Sequence, residues 1–258
     1  MVEIHPTALV SNKAKLGNNV SIGAYSIIQD DVEIGDNTKI GSNSVIYNGA
    51  RIGNNVTILN SASISHIPQD KKFHGEYSLL YIGDNSVICD FTTLHRGTEA
   101  TEKTVIGSNV VICQYSHIAH DCVISDNVFI GSFVQIGGHV EIDEFSVMED
   151  FTSAHQFCRV GKYVTVLSTY KVSMDLPPFI IAGKKPIKFL GLNFELFEKY
   201  NFSQDKINTI TNAYNILYNS GLNFSQAKNE LAKKFSNDEI VDEILKFLNN
   251  SSRGIVGK

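Results

Sequence analysis

The sequence predicts a parallel β-helix followed by a small helical segment, and three observations carry that prediction. Every sixth residue from Ile4 to Ile64 is aliphatic; the series resumes at Ile82, Ile88 and Leu94 and runs on from Ile106 to Val172, with Met148 and Ala154 the only members that are not Ile or Val in that last stretch. Four residues after each aliphatic stands a small or β-branched residue, as in Val20, Ser26, Val32 and Thr38, and later Val110, Ser116, Cys122 and Val128. The residue right after the aliphatic is often Gly, with Asn or Asp within two residues, as in Gly35-Asp36-Asn37. Neither a helix of period 3.6 nor a plain strand of period 2 gives a six-residue repeat; a chain that bends at fixed intervals and stacks coil on coil does. Each hexad reads as a short strand plus a corner, and the corner is expected to use the positive φ that Gly, Asn and Asp tolerate. Three hexads close a triangular coil of 18 residues, so the 26 hexads make between eight and nine coils. At the strand spacing of about 4.8 Å the prism is roughly 40 Å long.

Along the chain, residues 1–186 are assigned to the β-helix and residues 187–258 to a helical domain. The period breaks at 65–81, a polar excursion that starts Ser65-His66-Ile67-Pro68-Gln69-Asp70, and again at 99–104. Loops thrown from a repeat face commonly carry binding groups. The period ends near Val172, and Asp175-Leu176-Pro177-Pro178 is a connector, because Pro-Pro cannot continue a ladder. A short helix is expected around residues 193–200. Ser203 then looks like the N-cap of a helix carrying Ile207, Ile210, Ala213, Tyr214 and Leu217, ended by Ser220-Gly221. Ser225 is read as opening a second helix through Ala227, Leu231 and Phe235, and Asp238 a third through Val241, Ile244 and Leu248. A bundle of roughly 70 residues is marginal alone, so it should lean on the prism or on a neighbouring subunit. Solenoids with flat sides assemble side by side, and a homotrimer is expected.

With 43% hydrophobic residues the chain has material for a core, and its net charge of −5 argues against nucleic acid as partner. No apolar run reaches transmembrane length. The repeat begins at once after Met1-Val2-Glu3, so the expectation is no signal peptide and a cytoplasmic protein. Cys122 and Cys158 occupy the small position of the hexad and Cys89 and Cys113 follow an aliphatic, places that suit structural thiols.

Four of the eight histidines, His117, His120, His139 and His155, cluster in coil space. Gly138 lies 18 residues beyond His120 and therefore one coil away. A histidine beside a glycine peptide offers a general base next to an N–H that can serve an oxyanion. The residues alone leave two alternatives open: polar histidines on a solvated face, or His117, His120 and His139 holding zinc with an open position, as gamma-class carbonic anhydrases do.

At this point His117-Ile118-Ala119-His120-Asp121-Cys122, Gly137-Gly138-His139-Val140 and Ala154-His155-Gln156-Phe157-Cys158 together resemble the UDP-N-acetylglucosamine O-acyltransferases of lipid A synthesis. Ile67-Pro68-Gln69-Asp70, His95-Arg96-Gly97-Thr98, Asp175-Leu176-Pro177-Pro178 and Ser251-Ser252-Arg253-Gly254-Ile255 fit the same pattern, so the likeness spans nearly the whole chain. The resemblance implies a left-handed parallel β-helix, a homotrimer, and transfer of an (R)-3-hydroxyacyl chain from acyl carrier protein to the 3-hydroxyl of UDP-N-acetylglucosamine, with no cofactor and no metal. It implies His120 as base, Gly138 as oxyanion donor and Asp121 as the group that orients His120. His95, His117, His139, His155 and Gln156 would position substrate, Gln69, Asp70 and Lys72 would hold the sugar nucleotide, and Asn193, Glu195 and Lys199 would contact its nucleotide. Three departures stand out. Met148-Glu149-Asp150-Phe151 replaces a segment with two glycines, Leu167-Ser168 stands where the family has Gly-Gly beside the acyl chain, and Lys199-Tyr200 replaces twin arginines. Bulk at 167–168 should shorten or redirect the chain, and loss of the arginine fork weakens phosphate recognition. A related sugar-nucleotide acyl- or acetyltransferase with another donor or acceptor, or a non-catalytic paralogue, are the competing readings.

Overall fold

A computed structural model describes residues 1–258. The hexads form strands of two to four residues that stack into three parallel sheets, each taking every third strand in chain order, and the result is a left-handed parallel β-helix. Pairing is in register, so the aliphatic of one coil sits on that of the next: Ile118 pairs with Ile136, and Ile136 with Ala154. From Ile22 to Val172 the aliphatic series is buried, and the small position with it. Ile4 is 45% exposed, and Val10 and Leu16 are half-buried, because the first coil has no coil beneath it.

Serine and threonine are tolerated inside because their hydroxyls reach backbone carbonyls at the corner of the next coil. Ser26 Oγ donates to Gly41 O at 2.6 Å, Thr38 Oγ1 to Gly53 O at 2.8 Å and Ser44 Oγ to Leu59 O at 2.9 Å. A buried polar group is inexpensive only when it is bonded in this way.

The corners differ from the sequence expectation. The glycine after the aliphatic does not carry the positive φ; the residue two further on does, at Asn37 (59°), Asn43 (59°) and also at Phe133 (59°) and His139 (60°). Glycine is needed beside the aliphatic for a different reason. A Cβ on Gly35 would stand 2.6 Å from the Gly53 carbonyl carbon of the next coil. The left-handed corner positions stack into columns, amide on amide for Asn37 and Asn55, ring on ring for Phe91, Tyr115, Phe133 and Phe151.

Strands continue through Ile180–Gly183 and Lys188–Leu192, which pair antiparallel. Four helices follow: α1 (Phe194–Lys199), α2 (Gln204–Asn219), α3 (Phe224–Lys234) and α4 (Glu239–Asn249). Ser203 caps α2 and Asp238 caps α4; α3 is capped by Asn223 with Gln226 in a reciprocal box, two residues ahead of Ser225. The helical segment closes the end of the prism through Phe197 and Phe202 against Phe179, and through Tyr214 Oη donating to Pro178 O. No helix is long and apolar enough to cross a membrane.

The two excursions lie at one corner and hydrogen-bond to each other: Leu79 N donates to Glu102 O at 2.9 Å and Glu99 N to Glu76 Oε1 at 3.2 Å. They form a wall beside the coils that carry His120 and Gly138.

Candidate active site

On two corners of the prism, the peptide N–H two residues after the aliphatic is often capped by an Asp or Asn side chain from the next coil. Asp36 N donates to Asn54 Oδ1, Ser108 N to Asp126 Oδ1 and Ser132 N to Asp150 Oδ1, all within 2.7–2.8 Å. At the third corner this position holds His120 and then Gly138. Gly138 has no side chain, and the His120 imidazole lies in the space: a Cβ on Gly138 would stand 2.8 Å from His120 Cε1 and 2.9 Å from Nε2. The residue one coil on, Gln156, does not cap Gly138, whose N–H makes no hydrogen bond within the chain. A break in a repeating cap thus leaves an imidazole and a free peptide N–H side by side.

His120 is 9% exposed, and its Nδ1 lies 2.7 Å from Asp121 Oδ2. A carboxylate only accepts, so Nδ1 donates to it, and the neutral tautomer that fits this bond has its lone pair on Nε2. Asp121 is buried and takes four donors: Thr98 N at 2.9 Å and Thr101 Oγ1 on Oδ1, Thr98 Oγ1 at 2.7 Å and His120 Nδ1 on Oδ2. Burial would raise its pKa, but the bonds from His120, Thr101 and Thr98 outweigh that and hold the carboxyl well below the usual carboxylate range.

His139 stands edge-on to His120 with ring centroids 5.3 Å apart, its Nε2 3.7 Å from Asp121 Oδ2, and stacks flat on Phe157 at 4.5 Å. Burial lowers its pKa against the pull of Asp121, favouring a neutral ring. A cleft of about 420 Å³ brings His139 and Phe157 together with Asp70, Lys72 and Glu76 of the longer excursion. A second, of about 480 Å³, joins Asp121 and His139 to Arg159, Asn250 and Ser252. Gln69 is exposed on the same excursion. His155 Nδ1 lies 3.1 Å from Arg253 Nη2 of the C-terminal strap, and Gln156 beside it is exposed.

His95 and His117 belong to a separate row of rings that runs from Tyr47 through His66. His117 Nδ1 bonds Thr93 Oγ1 at 2.7 Å, and burial, with His120 next, lowers its pKa. His117 therefore does not join the candidate metal set. The atoms that could share an ion, within 4.8 Å of one another, belong to His120, Asp121 and His139.

Burial, reinforced by His117, His66 and His120, pushes the His95 imidazole down to about 3. The folded chain then refuses a proton that the unfolded chain takes near 6.5. The stability this neutral ring permits is whole above 6.5 and falls as the pH drops towards 3, by at most about 1.4 kcal/mol per pH unit. Denaturant unfolding at pH 6.5 and pH 5 should show a loss smaller by about 1–2 kcal/mol in His95→Asn than in the parent. Equal losses would refute the assignment.

Other sequence candidates lie elsewhere. Asn193 is buried and caps α1, and its Nδ2 donates to Tyr163 O at 3.0 Å and Thr165 Oγ1 at 2.8 Å. Glu195 and Lys199 are exposed on α1, with Lys199 Nζ 5.4 Å from the Tyr200 ring centroid. Leu167 and Ser168 are half-buried at the corner after the strand Thr165–Val166, and Ser168 N and Oγ donate to Glu149 Oε2 at 2.9 and 2.8 Å. Sequence reasoning missed Phe157 and Thr101. Phe157 was within reach, since it stands 18 residues after His139; Thr101 sits where the count is interrupted.

A family model for the bacterial hexapeptide-repeat transferases matches residues 13–48, 31–66 and 103–138, and one for the second domain of UDP-N-acetylglucosamine O-acyltransferases matches residues 175–256. An acyl-(acyl carrier protein)–UDP-N-acetylglucosamine O-acyltransferase of a Sulfurihydrogenibium species is 50% identical over 99% of this chain and 94% of its own length. The protein so named in Chlorobaculum parvum is 47% identical over 98% and 97%. The solved UDP-N-acetylglucosamine acyltransferase of Bacteroides fragilis superposes with a TM-score of 0.95 at 40% identity, covering 98% of this chain and 99% of its own. That of Francisella novicida gives 0.96 at 32% identity, over 99% and 94%.

Proposed function

Since the chain belongs to the family of UDP-N-acetylglucosamine O-acyltransferases, we propose that it moves an (R)-3-hydroxyacyl group from acyl carrier protein to the 3-hydroxyl of UDP-N-acetylglucosamine, by general-base catalysis at His120. The observation that carries the mechanism is the His120 ring packed on Gly138, whose N–H has no acceptor in the chain.

A sugar hydroxyl is a poor nucleophile until a base takes its proton. His120 Nε2 removes it as the oxygen attacks the thioester carbonyl, and Asp121 steadies the imidazolium through Nδ1–H. The carbonyl oxygen becomes an oxyanion, which the Gly138 N–H holds. The intermediate collapses, the carbon–sulfur bond breaks, and the thiolate leaves with the proton from Nε2. His139, Asp70 and Lys72 line the neighbouring cleft and hold the sugar nucleotide there.

The donor's carrier is acidic and needs a basic landing place. Of five basic residues near the last coils, Arg159 is paired with Glu141, and Lys162 stands between Glu144 and Glu243. Lys171, Lys184 and Lys185 remain around a recess of about 280 Å³ and are the better candidates. The homotrimer belongs to the same proposal, and the stacked Phe91, Tyr115, Phe133 and Phe151, each 43–58% exposed and covered by no other element, support it.

The test is to incubate the protein with UDP-N-acetylglucosamine and a ladder of (R)-3-hydroxyacyl carrier proteins from short to long, and to weigh the products. An acylated sugar nucleotide from one part of the ladder is expected. Reaction with acyl coenzyme A alone would favour the acetyltransferase reading, and no product from any donor would overturn the proposal.

A further inference from the structure

We propose that the short excursion after His95 is an aspartate clamp, in which Thr98 and Thr101 are positioning residues that act on His120 through Asp121. Loops thrown from a repeat face commonly carry binding groups; this one is exposed from Glu99 to Lys103 and also brings two threonine hydroxyls onto the buried Asp121. Thr98 gives Asp121 both its peptide N–H, at 2.9 Å, and its hydroxyl, at 2.7 Å, while its oxygen accepts Ala100 N at 3.2 Å. The Thr101 hydroxyl reaches Asp121 Oδ1 as well as Lys103 O; having one proton, it favours the charged acceptor. From the opposite side Thr104 Oγ1 accepts Asp121 N at 2.8 Å. Each carboxylate oxygen therefore has two donors, and the plane of the group is fixed with Oδ2 aimed at His120 Nδ1.

The clamp has a chemical consequence that rests on His120 being the base. Donors to a carboxylate spread its charge. Removing them concentrates charge on the oxygens, strengthens the attraction for an imidazolium, and raises the pH at which His120 loses its proton. They also keep Asp121 ionised against burial, so their loss acts in the same direction at the acid end. The other titratable groups near the pair are His139, 3.7 Å from Asp121, His117 and His95 on the strand side of His120, and the buried Cys122 thiol, 3.7 Å from His120 O and kept protonated by burial. Asp70 acts on His139 from the longer excursion, and Glu141 and Arg159 line the same cleft as Asp121. None of their side chains is hydrogen-bonded to Thr98 or Thr101.

The experiment compares Thr98→Val, Thr101→Val and the double variant with Thr98→Ser and Thr101→Ser. Two readouts are taken: the pH profile of kcat/KM, and the titration of the His120 ring by NMR, which does not depend on turnover. In the valine variants the His120 titration and the acid limb of kcat/KM should both move up by about one pH unit, and kcat at neutral pH should fall about ten-fold, with KM for UDP-N-acetylglucosamine changed less than about two-fold. The serine variants should restore the parent values. If the NMR titration moves and the acid limb does not, the clamp stands and the assignment of His120 as base falls. If His120 titrates unchanged in the double valine variant, the clamp is wrong even when His120 proves to be the base. Serine variants that behave like the valines would also overturn it.

Discussion

Replacement of His120 by alanine should lower kcat about 10³-fold, in the middle of the range a positioned general base contributes. The prediction rests on which nitrogen is free. Asp121 occupies Nδ1, so Nε2, beside Gly138, is the atom available to a hydroxyl. Truncation takes one donor from Asp121 and leaves the three from Thr98 and Thr101, so the buried carboxylate stays bonded and the coil should hold. KM for UDP-N-acetylglucosamine should change little, because the groups around the neighbouring cleft are untouched. Steady-state kinetics with a melting curve decide the matter: turnover undiminished in a folded His120→Ala protein would remove this ring from the chemistry.

The second large effect comes from a single methyl group. In Gly138→Ala the new Cβ would meet the His120 ring at 2.8–2.9 Å, well inside contact distance. Gly138 does not have the positive φ that penalises other residues, so the backbone accepts alanine. The ring must swing away while the peptide N–H remains. A displacement of about 1 Å at the reacting atoms is worth roughly 10²-fold in rate, and kcat should fall by that factor with the melting temperature unchanged. Full activity in Gly138→Ala would mean that the close approach of ring and glycine has no part in the reaction.

Much of the architecture could be read from the order of residues, because in-register stacking turns a count of 18 into contact. The neighbourhood of His120 and Gly138 follows from that count, and so does the stack of His139 on Phe157. The reason for the glycines did not. Their φ is ordinary, and the need for them lies in the next coil's backbone, which a single hexad does not reveal. The clamp on Asp121 was hidden because an excursion interrupts the count, so nothing in the spacing of Thr101 points to Asp121. The structural duty of Asn193 was hidden as well, since nothing in the spacing says that its amide bonds Tyr163 O and Thr165 Oγ1.

The stacked arrangement also makes catalytic alignment a matter of arithmetic. His120 and Gly138 are neighbours because the stretch between them has the length of one full circuit. Deleting a single residue there would turn every later side chain by one place and part the imidazole from its peptide partner. Removing or duplicating a whole circuit elsewhere would leave the pair together. Lineages descended from such a chain should therefore change length in whole circuits, or at the two excursions, where extra residues leave the phase of the winding intact.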